Sequence, residues 1–240
     1  MKILLVLIPV FFFHSSSFSQ SVNDSISDVQ INNAISLYNH FTGEEKPVYN
    51  GTQYLYYTFK MEGNPYFITG EFSNGWVGYK GRKYDSLSVM YDVQRNKVVI
   101  YGLNHLETIV LENDFIDSFG LLGHTFIKLY ENHEQNLYSG GYYDLLYNGH
   151  IHFLAKRIKT REPKIQGDVL TYYFYSKDRY YIYKDGLYYQ ISNKKDVFHL
   201  FKNNVHNIKK MMRREHLKFR RKNFEETMIK VAAFCDQLTH

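Results

Sequence analysis

One cysteine, four prolines and one tryptophan are spread over 240 residues. A single Cys excludes a disulfide-stapled scaffold and a cysteine-based zinc site. So few prolines beside 44% hydrophobic residues exclude a disordered tail. Fifteen glycines without a fixed period exclude a collagen-like fibre. No apolar run reaches the ~20 residues that a membrane-spanning helix needs. A net charge of +5 is too small to mark a nucleic-acid binder. What is abundant is aromatic, with 23 Tyr and 18 Phe. The length suits one domain that buries a sizeable core without covalent staples.

Residues 1–19 read MKILLVLIPVFFFHSSSFS. Lys2 precedes an apolar run from Ile3 to Phe13, and Ser17 and Ser19 take the −3 and −1 positions of a cut before Gln20. This is the three-part layout of a secretory signal peptide, and it predicts export to the periplasm, the outer membrane or the cell exterior. Residues 20–45 follow as a helix, with Ile31, Ala34, Ile35, Tyr38 and Phe41 on one face.

From 46 to 192 the pattern turns to short aromatic and β-branched runs broken by turn signals. They are 53–60, 66–72, 76–80, 97–101, 105–111, 125–130, 142–147, 150–158, 170–176, 179–184 and 187–192. Short connections demand antiparallel pairing. Asn148-Gly149 and Asp185-Gly186 read as two-residue hairpin turns. Such turns set Tyr147 opposite His150, Leu145 opposite His152, Tyr183 opposite Tyr188 and Ile182 opposite Tyr189. Residues 193–240 read as a pair of helices, the first capped by Asn193 with Asp196 at its third position. The second starts at Asn223, with Glu226 completing a capping box. The expected fold is mainly β within the α+β class. An antiparallel meander forms a sandwich, an open barrel or a curved sheet, with an N-terminal helix and a C-terminal helical pair packed on it.

Three constellations carry possible chemistry. Tyr143, Tyr147, Tyr181, Tyr183 and Tyr188 sit on neighbouring strands, where tyrosine offers large contact area with a polar tip for a sugar or peptide. His150 and His152, two apart on a strand, point to one face and are the metal candidate. Lys209, Lys210, Arg213, Arg214, Lys218, Arg220, Arg221 and Lys222 face Glu215 alone, an electrostatic patch for acidic headgroups or polyanions. Leu217 and Phe219 alternate with Lys218 and Arg220, which suits an extended piece with one side buried. No nucleophile elbow, phosphate loop, dinucleotide fingerprint or His-Glu-x-x-His is present, so no cofactor is expected.

The chain resembles a family of uncharacterised exported β-rich proteins of Bacteroidetes. The resemblance rests on Leu37-Tyr38, on Tyr49-Asn50-Gly51 with Tyr54, and on Gly63, Pro65, Tyr66 and Phe67. It continues with Gly81 and Tyr84 opening a strand that Tyr91-Asp92 closes, and with Tyr180, Tyr181, Lys184 and Gly186 near a basic helical end. Where relatives are expected to carry His, this chain has Asn64. The resemblance implies export and a β-rich fold and supplies no reaction. The expected role is therefore a non-catalytic envelope protein that binds a protein, peptide or glycan partner through its aromatic sheet face, with no nucleic-acid partner. One alternative is an exported hydrolase in which His150, His152, Asp144 and other carboxylates converge. The other is an anionic-surface adhesin, peripheral at a membrane, that uses 209–222.

Overall fold

The computed structural model describes residues 47–103 and 106–238. The expected signal peptide and the helix over 20–45 lie outside the described residues. Among the described residues fourteen strands precede the α-helices: β1 (Thr52–Gln53), β2 (Met61–Glu62), β3 (Ser73–Tyr79), β4 (Arg82–Asp92), β5 (Lys97–Tyr101), β6 (Thr108–Val110) and β7 (Ile116–Leu121). They continue as β8 (His124–Leu129), β9 (Gly141–Asn148), β10 (His152–Lys156), β11 (Lys159–Gln166), β12 (Val169–Ser176), β13 (Arg179–Lys184) and β14 (Leu187–Ile191). Helices α1 (Lys194–Leu200), α2 (Val205–Arg214) and α3 (Phe224–Gln237) follow.

Eleven strands form one sheet in the order β1-β6-β5-β4-β3-β7-β8-β9-β10-β13-β14, every neighbour antiparallel. Among the described residues the sheet is open, with β1 and β14 as its edges. Strands β11, β12 and β2 make a second sheet, in which β2 runs parallel to β12.

Alternation along the strands builds the first half of the large sheet. Val77, Tyr79, Val89, Tyr91, Ile100, Phe119 and Phe126 fall on one side and join one core. Phe119 and Phe126 stack at 4.8 Å with no exposed surface, and each buried ring contributes about 2 kcal/mol. Met90 and Val99 point to the other side and meet Tyr54 and Tyr66. Both faces of β4 and β5 are therefore covered, which is why Val98, Val99 and Ile100 form an unbroken buried run.

In the second half the helices take one face. Phe153, Ile182 and Ile191 alternate inward against Val197, Ile208, Met211, Met228, Val231 and Cys235. Burial pushes the Cys235 thiol up to about 12, so it is an inert packing group.

Several expectations change. The run 53–60 contributes little strand. Tyr54 and Tyr57 instead donate their hydroxyls to the fully buried Asp92, at 2.8 Å and 3.0 Å, so side chains tether the segment where a ladder would have. The run 66–72 is likewise irregular, held by an isolated bridge from Tyr66 to Asp92. Strand β11 has no counterpart among the expected runs, because most of its residues are exposed and no apolar face marks it. Its ladder to β12 tolerates Pro163 because β11 is an edge.

The helical end has three helices rather than two. The chain leaves the first at Phe201, passes through a short 3-10 turn over Lys202–Asn204 and restarts as α2. The Asn193–Asp196 capping box is present at α1. At α3 the Glu226 box is not formed: the Asn223 side chain accepts the Arg220 N–H at 3.2 Å, and Glu226 pairs with Lys230 at 3.3 Å.

Candidate binding site

The β13–β14 hairpin builds the site. Asp185 (φ +51°) and Gly186 (φ +81°) take the left-handed conformation that its two-residue turn requires. The register is the expected one, Tyr183 opposite Tyr188 and Ile182 opposite Tyr189. The rings of Tyr183 and Tyr188 lie 4.7 Å apart. On that same face Tyr181 meets Tyr143 edge-on at 5.7 Å. These four tyrosines pack with Leu137 and Leu154 into one cluster on the face opposite the helices. Tyr143 is fully buried, donates its hydroxyl to the Ser139 carbonyl at 2.5 Å, and is pushed above the ordinary tyrosine value by that burial.

Tyr147 does not join them. The expected two-residue turn at Asn148-Gly149 is absent: His152 pairs with Asn148 and Phe153 with Tyr147, so Gly149, His150 and Ile151 form a longer connection. A bulge between Phe153 and Leu154 then skips Leu146 in β9. One extra residue inverts the alternation, so Tyr147 turns to the helix side with Phe153. There it donates to Asp236 at 3.0 Å.

The same shift undoes the histidine pair. His150 lies in the connection with Nδ1 at 3.6 Å from Asp236, while His152 is in the ladder with its ring beside Tyr183 at 5.5 Å. Among the described residues no group of three or more His, Cys, Asp or Glu side chains is arranged to hold a metal ion. Neither histidine lines the clefts described below, and neither does Asp144.

Two clefts flank the outer edge of β14. The first, about 740 Å³, is lined by Tyr181, Tyr188 and Tyr189, by Asn136 and Tyr138 from the loop before β9, and by His199 of α1. Tyr143 and Tyr183 belong to the tyrosine cluster but do not line this cleft. The second, about 1140 Å³, runs between the start of β13, the start of α1 and the segment after α2. Arg179, Gln190, Ile191 and Lys195 line both.

The basic segment feeds the second cleft. Helix α2 ends in a Schellman turn: Leu217 N–H donates to Met212 at 2.8 Å, His216 N–H to Arg213 at 3.3 Å, and His216 sits at φ +54°. The chain then runs extended, Leu217 and Phe219 half-buried, Lys218 and Arg220 exposed, which is the expected alternation. Lys218, Arg220 and Arg221 line the larger cleft. Lys209 and Arg213 line a smaller one of about 380 Å³. Arg214 pairs with Glu215 at 3.2 Å, and Lys210 is exposed on α2. The basic residues are thus distributed over adjoining clefts and not laid out as one flat patch.

A charged cluster around Asp144, with partners His124 and Arg157 that no sequence signal singled out, joins the two halves of the large sheet. The buried Asp144 takes His124 Nδ1 at 2.8 Å and Arg157 Nε at 3.0 Å on one oxygen. Arg157 also reaches Asp178 at 2.9 Å and Glu225 of α3 at 2.7 Å. Asp144 Oδ1 is buried and has no hydrogen-bond partner among the described residues. His124 and Arg157 line a cavity of about 290 Å³. Three carboxylates around one guanidinium tie β9, the end of β10 and α3 together.

Scans against protein-family models, curated proteins and solved structures found no match to this chain.

Proposed function

We propose that the chain is an exported, non-catalytic binding protein of the cell envelope. It takes a peptide or sugar segment in the tyrosine-lined cleft beside β14. The observation that carries this proposal is the cleft's composition: three hairpin tyrosines, joined by Tyr138, with the amides of Asn136 and Gln190 beside them. Planar rings with polar tips, held by a rigid hairpin, present contact area at low entropic cost. The leader-like residues 1–19 support export. Array screening of the chain against peptides and glycans, followed by calorimetry, tests it. Tyr188→Ala is expected to weaken the bound ligand roughly tenfold, the scale of a lost aromatic anchor. Tyr147→Phe, on the opposite face, is expected to leave binding unchanged. A chain that binds nothing on the arrays sinks the proposal.

A second function, hydrolysis, has one observation in its favour: His124 on a cavity wall, paired with the buried Asp144 behind it. It predicts turnover of nitrophenyl esters or glycosides that His124→Ala abolishes.

A further inference from the structure

The larger cleft is a different chemical environment from the tyrosine cleft it adjoins. Lys177 and Arg179 reach it from the start of β13, Lys194 and Lys195 from α1, and Lys218, Arg220 and Arg221 from the segment after α2. All seven are exposed. Among the described residues none of them has a carboxylate within ion-pair distance. Among the described residues the cleft's one acidic residue, Asp178, is already held by Arg157 at 2.9 Å. The floor is apolar: Ile191 and Met212 are buried, and Tyr180, Leu217, Phe219 and Phe224 are half-buried. An uncompensated cationic rim over an aromatic floor concentrates field on whatever anion enters.

The shape favours one class of anion. Anchoring in a bilayer is strengthened by exposed apolar side chains beside the cations, and among the described residues the exposed large hydrophobic ones all fall between Leu55 and Tyr175, none in α1, α2, α3 or the segments joining them. The cations line a recess, so a chain lying in it meets them from both walls. That recess shares Arg179, Gln190, Ile191 and Lys195 with the tyrosine cleft, where rings, amides and a His suit hydroxyl-bearing, flat-faced units.

We propose that the two clefts together bind one acidic oligosaccharide chain, its sugar faces on the tyrosines beside β14 and its sulfate or carboxylate groups on the cations of the larger cleft. The inference rests on the binding role proposed above and names the ligand class.

Calorimetry on the full chain tests it. The probes are a heparin hexasaccharide, an oligogalacturonate of equal length, neutral maltohexaose, a short oligothymidylate and phosphatidylglycerol vesicles. One or both acidic sugars are expected to bind more tightly than maltohexaose, and to weaken as salt rises. The exposed-site variants Lys194→Glu, Lys218→Glu and Arg221→Glu are each expected to weaken that binding roughly tenfold with thermal midpoints unchanged. Acidic sugar and maltohexaose binding with equal affinity overturns the inference but leaves the tyrosine site standing. Acidic sugar lost in the charge variants but untouched in Tyr188→Ala overturns the two-cleft footprint and leaves the tyrosine site to the array test. Tighter binding of the oligothymidylate or the vesicles than of either acidic sugar overturns the inference in favour of those classes.

Discussion

Asp236, one residue from the end of α3, accepts the backbone N–H of Ile151 at 2.8 Å. With Tyr147 at 3.0 Å and the His150 N–H at 3.3 Å, it stitches the last helix to the connection between β9 and β10. Burial alone would raise this carboxyl, but the three hydrogen bonds hold it below its ordinary value of 3.8. A depressed folded-state value makes its stabilisation full above the unfolded value and lost as pH falls through the folded one. Asp236→Asn should therefore cost about 2 kcal/mol at neutral pH. The deficit should shrink as pH falls below 3.8. Urea melts at neutral and acid pH check this, and a deficit that does not change with pH would contradict it.

Gly149 is required by that same carboxylate. A Cβ there would lie 2.3 Å from Asp236 Oδ2 and 2.8 Å from the Tyr147 hydroxyl. Gly149→Ala is expected to cost about 1–3 kcal/mol through that clash. In the Gly149→Ala/Asp236→Ala double variant the cost should be less than additive, because one contact is lost twice. Additive melting data would show that the two sites are independent.

Arg157 balances Asp144, Asp178 and Glu225 at one point. Arg157→Met strips the buried Asp144 of its guanidinium, leaves it to His124, and is expected to cost about 3–5 kcal/mol. Arg157→Lys should recover only part of this, since an ammonium lacks the guanidinium fork that spans the carboxylates. Full recovery by Lys in chemical unfolding would show that point charge alone suffices.

The separation of His150 from His152 predicts that zinc adds no thermal stability that depends on them. A rise in melting temperature on adding zinc, abolished by His152→Ala, would reinstate the metal site.

Much of the fold was legible in residues 46–240. The Asp185-Gly186 turn gave the register of β13 and β14, and with it the Tyr183–Tyr188 pair, because a two-residue turn leaves no freedom in pairing. The Asn148-Gly149 dipeptide misled in the same way. It resembles a turn, but its glycine is there to admit a carboxylate from a helix nearly ninety residues further along the chain. Nothing local reports such a contact. Of the five tyrosines that sequence singled out, the alternation of β9, β13 and β14 brings four together, and one bulged residue removes Tyr147.

Local chemistry by itself determined the class of the chain: short aromatic strands in antiparallel order, an α1 capped by Asn193 and Asp196, an extended basic stretch between two amphipathic helices, and an inert Cys235. Each follows from side-chain period, turn conformation or burial of a stripe, which operate over a few residues. Tertiary structure alone decided that Tyr147 turned away from the other four tyrosines, that the histidines stayed apart, that Arg157 gathered three carboxylates, and that the basic stretch came to wall a recess beside the tyrosine cleft. Those outcomes depend on a bulge and on where the helices dock, and both are settled by packing between segments far apart in the chain.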